Sequence, residues 1–225
     1  MFIVIEGLDG AGKSTQLKKI REHFAQKGLE CRDVHFPRFD TPVYGELIAK
    51  FLRGELGDLN NVNPYLVALL YAGDRAEAKQ TIENWLKNGK VVVLDRYLYS
   101  NIAYQCAKVG TKEEQKELRN WIFDLEYNHN KIPKPDLSIF LNVPMSFTKS
   151  KLEKNREGED RDYLKGKKDI HEASLSFQDK VREVYLEQEK LDSSFSVVNC
   201  CDEENNMLCS DDVFAKILEK IEKIK

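Results

Sequence analysis

Eight residues near the amino terminus, Gly7-Leu8-Asp9-Gly10-Ala11-Gly12-Lys13-Ser14, restrict this chain more than any other stretch. They follow the apolar, β-branched run Phe2-Ile3-Val4-Ile5, which reads as a buried strand, and a helical pattern opens directly after them at Ser14-Thr15-Gln16-Leu17. Gly7, Gly10 and Gly12 let the backbone turn its N–H groups inward around phosphate oxygens. Lys13 adds a point charge, the helix N-terminus a partial positive charge, and Ser14 a hydroxyl for a magnesium ion. The four fixed positions would coincide by chance in roughly one chain of this length in a hundred, and less often with a strand before and a helix after. The stretch is therefore read as a phosphate cradle.

A chain of 225 residues is long enough for one α/β domain with a sizeable core, and no linker-like shift in composition divides it, so residues 1–225 are expected to form a single domain. The formal charge of -3 lacks the basic excess of a nucleic-acid coat, and an anionic substrate must be met by a local cluster of Lys and Arg. Cys31, Cys106, Cys200, Cys201 and Cys209 form an odd set without CxxC spacing, which points to reduced thiols rather than disulfides or a metal site. The amino-terminal segment is an apolar strand rather than a secretory leader, and no run approaches the roughly 20 apolar residues that span a bilayer. A cytoplasmic location with no membrane and no nucleic-acid partner is expected.

Along the chain, strands are expected at 2–5, 30–36, 90–94, 137–143 and 195–198. Between them, helical patterns are expected at 43–53, from Pro64 to about 88, at 100–108, 112–127, 144–155, 170–191 and 212–223. Strands alternating with helices imply a parallel sheet covered on both faces, a three-layer α/β architecture with five strands, and ligands gathered at the strands' carboxyl ends. Residues 155–169 are dense in charge, contain Gly158 and Gly166, and lack apolar periodicity, so they read as a mobile surface loop, a candidate lid.

Polar residues fall where that rule puts a site. The apolar strand Val91-Val92-Val93-Leu94 delivers Asp95, a candidate magnesium ligand whose alternative role is a helix N-cap. Arg38 and Arg96 each follow a strand end and could converge on one phosphate with their planar forks. In the lid, Arg156 and Arg161 are candidates for the mobile positive charge that phosphoryl transfer needs, whereas Lys165, Lys167 and Lys168 read as a solvated face. No His or Asp stands out as a base. A phosphate monoester acceptor, with a second pKa of about 6, needs none.

With these residues in hand, the chain resembles the thymidylate kinases, P-loop nucleoside monophosphate kinases that make dTDP from dTMP and ATP. The marks are Gly-Leu-Asp-Gly-Ala-Gly-Lys-Ser-Thr at 7–15, Phe36-Pro37-Arg38, Leu70-Tyr71-Ala72-Gly73-Asp74-Arg75, Asp95-Arg96-Tyr97-Leu98-Tyr99-Ser100-Asn101, Pro133-Lys134-Pro135-Asp136 and Asp169-Ile170-His171-Glu172. The resemblance implies the fold of the P-loop NTP hydrolases, with ATP held by Gly7, Leu8, Asp9, Gly10, Ala11, Gly12, Lys13, Ser14 and Thr15. It implies magnesium near Ser14, Asp95 and Asp9, directly or through water. It places dTMP against Asp9, Phe36, Pro37, Arg38, Phe39, Tyr71, Arg75, Arg96, Asn101 and Tyr104. Within that set, Arg75 would meet the thymine edge, Tyr71 would stack on the base, Arg38 and Arg96 would hold the phosphate, and Tyr104 would exclude a 2′-hydroxyl.

Because Gly10 stands where some members carry an arginine, the resemblance implies that Arg156 or Arg161 joins Lys13, Arg96 and Asp9 as a catalytic group. It also implies a homodimer. The chain departs from the commoner pattern in a longer lid at 162–168, in His171 where an aromatic is usual, and in an apparent insertion at 201–210. A deoxynucleoside kinase would more usually end the central strand in Glu-Arg-Ser, and a GTPase-type switch would want Asn-Lys-x-Asp, which Asn130-Lys131-Ile132-Pro133 does not complete.

Overall fold

Strand β1 (Phe2–Gly7), which carries the glycine turn at its end, is buried along its whole length and lies in the middle of a sheet. The computed structural model describes residues 1–59, 61–153, 159–167, 169–172 and 174–224, with side chains left aside over 151–161. Four further strands are β2 (Cys31–His35), β3 (Val91–Asp95), β4 (Leu137–Asn142) and β5 (Phe195–Asn199). The order is β2-β3-β1-β4-β5, and every neighbouring pair is parallel, as expected. The chain leaves β1 toward one edge and returns to the other side of it at β4, so the crevice of this doubly wound sheet opens beside the glycine turn.

The helices are α1 (Lys13–Gln26), α2 (Tyr44–Leu52), α3 (Pro64–Lys87), α4 (Leu98–Cys106), α5 (Lys112–Phe123), α6 (Met145–Glu153), α7 (Leu175–Gln188) and α8 (Ser210–Glu222). The two-residue period of a strand sorts the core into halves. Ile3, Ile5, Val91, Val93, Ile139 and Leu141 face α1 and α8, meeting Leu17, Ile20, Phe24, Val213 and Ile217. Phe2, Val4, Val92, Leu94 and Phe140 face α3, α4, α5 and α7, meeting Ala78, Ile82, Ile102, Leu118 and Val181. A smaller cluster of Ile48, Phe51, Leu52 and Val67 seats α2 on α3. Capping follows the sequence: the Asn63 side chain accepts the Tyr65 N–H ahead of Pro64, and Thr111 and Glu114 form a reciprocal box at the start of α5.

Two boundaries differ from the sequence reading for local reasons. The helix expected at 112–127 is α-helical only to Phe123 and then widens into a π-helical turn, Asp124–His129, where the Asn130 N–H reaches Leu125 O at 2.8 Å. The helix expected from Ile170 starts at Leu175. The Ile170 N–H instead bonds Leu52 O (3.0 Å), the His171 N–H bonds Asp169 Oδ1 (2.8 Å), and Ser174 caps the helix by accepting the Phe177 N–H.

The lid loop also departs from the surface reading in its described second half. Glu159–Leu164 forms a short 3-10 helix, Leu164 is buried, and the Tyr163 ring stacks on Phe39 with centroids 3.7 Å apart. Two or three anchors suffice to dock such a segment, too few to register as periodicity. The stretch at 201–210 is a tight turn in which Cys201 bridges Met207, with Met207 and Leu208 packed beside α1 and α8. All five cysteines are free thiols. Among the described residues, no helix is long and apolar enough to cross a membrane.

The approach of α2 to the Phe36–Asp40 loop leaves no room for a side chain at Gly45, where a Cβ would lie 2.3 Å from Arg38 O and 2.8 Å from Thr41 Oγ1. Gly45→Ala is expected to lower stability by about 1–3 kcal/mol, overpacking outweighing the gain in helix propensity. An unchanged urea midpoint would contradict this close approach.

Candidate active site

Gly10 and Gly12 take left-handed φ angles of 77° and 84°, which turns the loop's N–H groups toward its centre. Gly12 is the N-cap of α1 and offers no side chain to the first turn, and that turn holds no acidic residue. The helix therefore presents uncapped N–H groups and its positive end, the ingredients of an anion site. Leu8 and Ala11 bury their side chains beneath the loop, while Ser14 and Thr15 are exposed on the first turn. The Lys13 ammonium folds back on the loop's own carbonyls, Gly7 O at 3.3 Å and Leu8 O at 3.2 Å. Burial, reinforced by the Arg96 cation, pushes Lys13 below the usual lysine range.

The end of β3 sends two neighbouring residues to different tasks. Asp95 falls on the α1 side, where its Oδ2 lies 3.2 Å from His35 Nδ1 and its Oδ1 is buried with no partner among the described residues. Asp95 is not a helix cap, since Tyr97 occupies that position and contributes no side-chain bond. Burial opposes its charge, and Lys13 and His35 more than offset it, so the carboxyl lies below the ordinary range. An unsatisfied carboxylate oxygen sharing a cavity with the Ser14 hydroxyl is a hard-oxygen donor set that fits magnesium. Arg96 follows with φ 67°, a strained conformation for a non-glycine residue, held by its N–H to Ile5 O (2.9 Å).

Glu6 fixes that turn. The strand's parity points it toward α4 and α7, where it is fully buried; its Oε1 accepts the Tyr97 N–H (3.0 Å) and Ser100 N–H (3.3 Å). Its Oε2 accepts the hydroxyls of Ser100 (2.5 Å) and Tyr185 (3.0 Å). Burial raises the Glu6 carboxyl above its usual range against the pull of these donors. Ser100 Oγ in turn lies 3.3 Å from Arg96 Nη1.

One cavity of about 920 Å³ runs past Ser14 and Asp95 to Asp9, Phe36, Pro37, Arg38, Phe39, Tyr71, Arg75, Arg96, Asn101 and Tyr104. Arg96 Nη2 donates to Asp9 Oδ1 (2.7 Å), and the Tyr104 hydroxyl donates to Asp9 Oδ2 (3.1 Å). Arg38 is gripped three times by Asp74: N–H to Oδ2 (2.9 Å), Nε to Oδ1 (2.8 Å) and Nη2 to the main-chain O (2.7 Å). Arg75 gives Nε and Nη2 to Glu126 at 2.5 and 2.6 Å. Burial works against the Arg75 charge, and Glu126 more than offsets it.

A profile of the family described as "Thymidylate kinase" matches residues 5–208. The chain belongs to the thymidylate kinase family. It is 35% identical over 187 residues to a thymidylate kinase of Mycobacterium tuberculosis, covering 83% of this chain and 85% of that protein. It is 31% identical over 223 residues to one from Dictyostelium discoideum, covering 96% and 87%. A solved thymidylate kinase structure from Candida albicans superposes with a TM-score of 0.74 at 26% identity, over 99% of this chain and 91% of that one.

Against this family frame, the acceptor-side residues named from sequence share one cavity, whereas Arg156 lies outside the described residues and so does the Arg161 side chain. Sequence reading missed Glu6, His35, Asp74 as a clamp, Gln105 and Glu126. Of these, Glu6 left a signal as a charge inside an apolar strand, and Asp74 as part of the mark at 70–75. Gln105 is buried in the cavity wall one helical turn after Asn101; its Oε1 accepts from Lys108 Nζ (2.8 Å), and its Nε2 has no partner among the described residues. His171 packs on Tyr104, ring centroids 4.8 Å apart, and burial followed by the Lys108 cation pushes it well below the usual imidazole range.

Asp169, also in the wall, is raised to about 7 by burial, with Asp9 and Glu172 as like charges, against hydrogen bonds from the His171 N–H and Tyr163 hydroxyl. The fold thus favours its protonated form, and its contribution to stability is complete below about pH 4 and lost as pH rises through 7. In protein free of nucleotide and divalent ions, Asp169→Asn is expected to raise Tm at pH 8 and leave it nearly unchanged at pH 4. Equal shifts at both pH values would contradict the buried-acid reading.

Proposed function

We infer that this chain phosphorylates dTMP to dTDP with ATP and magnesium, as one domain spanning 1–225. The observation that carries the reading is the single cavity that joins Ser14 and Asp95, beside the phosphate loop, to Arg38, Arg96 and Asn101 on the acceptor side, in a member of this family. The donor triphosphate lies in the loop Gly7 to Thr15, where N–H groups and the α1 terminus receive its phosphates, and Lys13 leaves the loop carbonyls for them. Ser14 and Asp95, with Asp9 directly or through water, would hold magnesium. When bound, that ion neutralises charge between the transferring phosphates.

Arg38 and Arg96 hold the dTMP phosphate, Tyr71 and Phe39 flank the base, Tyr104 packs against the sugar, and Asn101 and Arg75 meet the thymine edge. The acceptor phosphate is already an anion at neutral pH, so the difficulty is to bring two anions together rather than to remove a proton. Cations fixed in advance address that difficulty. The lid at about 155–169 closes over the donor, with Arg156 or Arg161 supplying charge.

The protein works as a homodimer in the cytoplasm. Supporting the dimer, Tyr65, Leu66 and Leu69 on α3 and Trp121 on α5 expose large apolar side chains together, with the Tyr65 and Trp121 rings 4.9 Å apart.

Each nucleoside monophosphate offered with ATP and magnesium in a coupled assay tests the reading: turnover of dTMP is expected, and turnover of thymidine in its place would overturn it. Lys13→Ala and Arg96→Ala are expected to lower kcat by at least about a hundredfold while leaving the thermal transition cooperative. Near-normal kcat in either would refute the site as drawn.

A further inference from the structure

Asn101 offers the base site a single, fixed kind of hydrogen bond. Its Nδ2 donates to Ala68 O and to Glu126 Oε1, both at 3.0 Å, and both partners can only accept. A flipped amide would set oxygen against two oxygens, so its nitrogen and oxygen are unambiguous. The remaining atom, Oδ1, is buried, has no partner among the described residues, and belongs to a side chain lining the cavity. What Asn101 has left to offer a ligand is therefore an acceptor.

The group that enforces this is Glu126, which is fully buried and does not line the cavity. It sits in the π-helical turn after α5, where the widened backbone brings it behind α3 and α4 at once. Its Oε2 takes Arg75 Nε, and its Oε1 takes both Arg75 Nη2 and Asn101 Nδ2. One carboxylate thus orients a guanidinium and an amide that both line the acceptor cavity.

We propose that Glu126 is the positioning residue that sets base selectivity, locking Asn101 as an acceptor for the ring N3–H of a thymine-type base and so rejecting cytosine. This rests on the reading of the chain as a dTMP kinase. Thymine carries a hydrogen on N3; cytosine carries a lone pair there, which would face Asn101 Oδ1 across a dry contact. Two opposed acceptors cannot be rescued by rotating the amide while Glu126 and Ala68 O hold its nitrogen. Glutamine at 126 has one oxygen for these three donors: with that oxygen on Arg75 Nε, its NH₂ meets both Arg75 Nη2 and Asn101 Nδ2, and the Asn101 amide loses its preferred orientation.

The test is steady-state kinetics of the full chain with ATP and dTMP, dUMP or dCMP. Turnover of dTMP by the unaltered protein decides the underlying reading separately. For Glu126→Gln the ratio of kcat/KM for dTMP over dCMP is expected to fall roughly ten- to a hundredfold, with KM for ATP unchanged. In an Asn101→Ala background the same substitution should leave that ratio unaltered, because the group it acts through is gone. Should Glu126→Gln fail to fold, Glu126→Asp, which keeps the charge near Arg75 but withdraws from Asn101, is expected to lower the ratio in the same direction. An equal loss on both acceptors, an unchanged ratio, or the same fall in ratio without Asn101 would overturn the proposal.

Discussion

A guanidinium taken out of water keeps its direction only if a carboxylate stands behind it, and the arginine-lined half of this cavity is built on that constraint. Asp74 holds Arg38 and Glu126 holds Arg75, while Glu6 holds the turn that carries Arg96. Asp74, Arg75, Glu126 and Glu6 are all at most 1% exposed. Such pairs add little to net stability, because desolvation offsets most of their attraction. What they contribute is geometry: side chains with many rotamers are reduced to one before any ligand arrives. For a reaction whose main obstacle is repulsion between two phosphates, cations that need no reorganisation are the useful kind.

The sheet separates the two halves of that problem. Asp95 and Arg96 are adjacent in the chain, yet the period of β3 sends the first toward α1 and the phosphate loop, while the left-handed turn at Arg96 carries the second toward α4. Around the site the charges answer one another: Lys13 rests on loop carbonyls and Arg96 on Asp9.

The wall formed around Tyr163 to His171 follows a different logic. Tyr163 on Phe39, Leu164 in the core, and Ile170 bonded to Leu52 O tie this segment to α2 and the Phe36–Asp40 loop. Arg53 adds a bond from Nη1 to Tyr163 O and a pair of contacts with Glu55, which also meets Lys167. The cavity is therefore walled in part by a segment whose sequence looks like surface. Lys167 is paired with Glu55, and Tyr163, Leu164 and Ile170 do the packing.

Features that depend on residues close together in the chain are legible without any tertiary context. The glycine turn between strand and helix, the five strands, the Pro64 start of α3 and the delivery of Asp95 and Arg96 at a strand end follow from backbone conformation and from periods of two or near four. Tertiary structure alone decided how those groups are held. Glu126 is 51 residues from Arg75 and 25 from Asn101, and it reads as one more exposed helical acid until the π-helical turn rotates it inward. Glu6 meets Ser100 and Tyr185 at separations of 94 and 179 residues. A local pattern encodes the path of the backbone; which buried carboxylate faces which cation depends on how separate helices stack, and no window of sequence contains both partners.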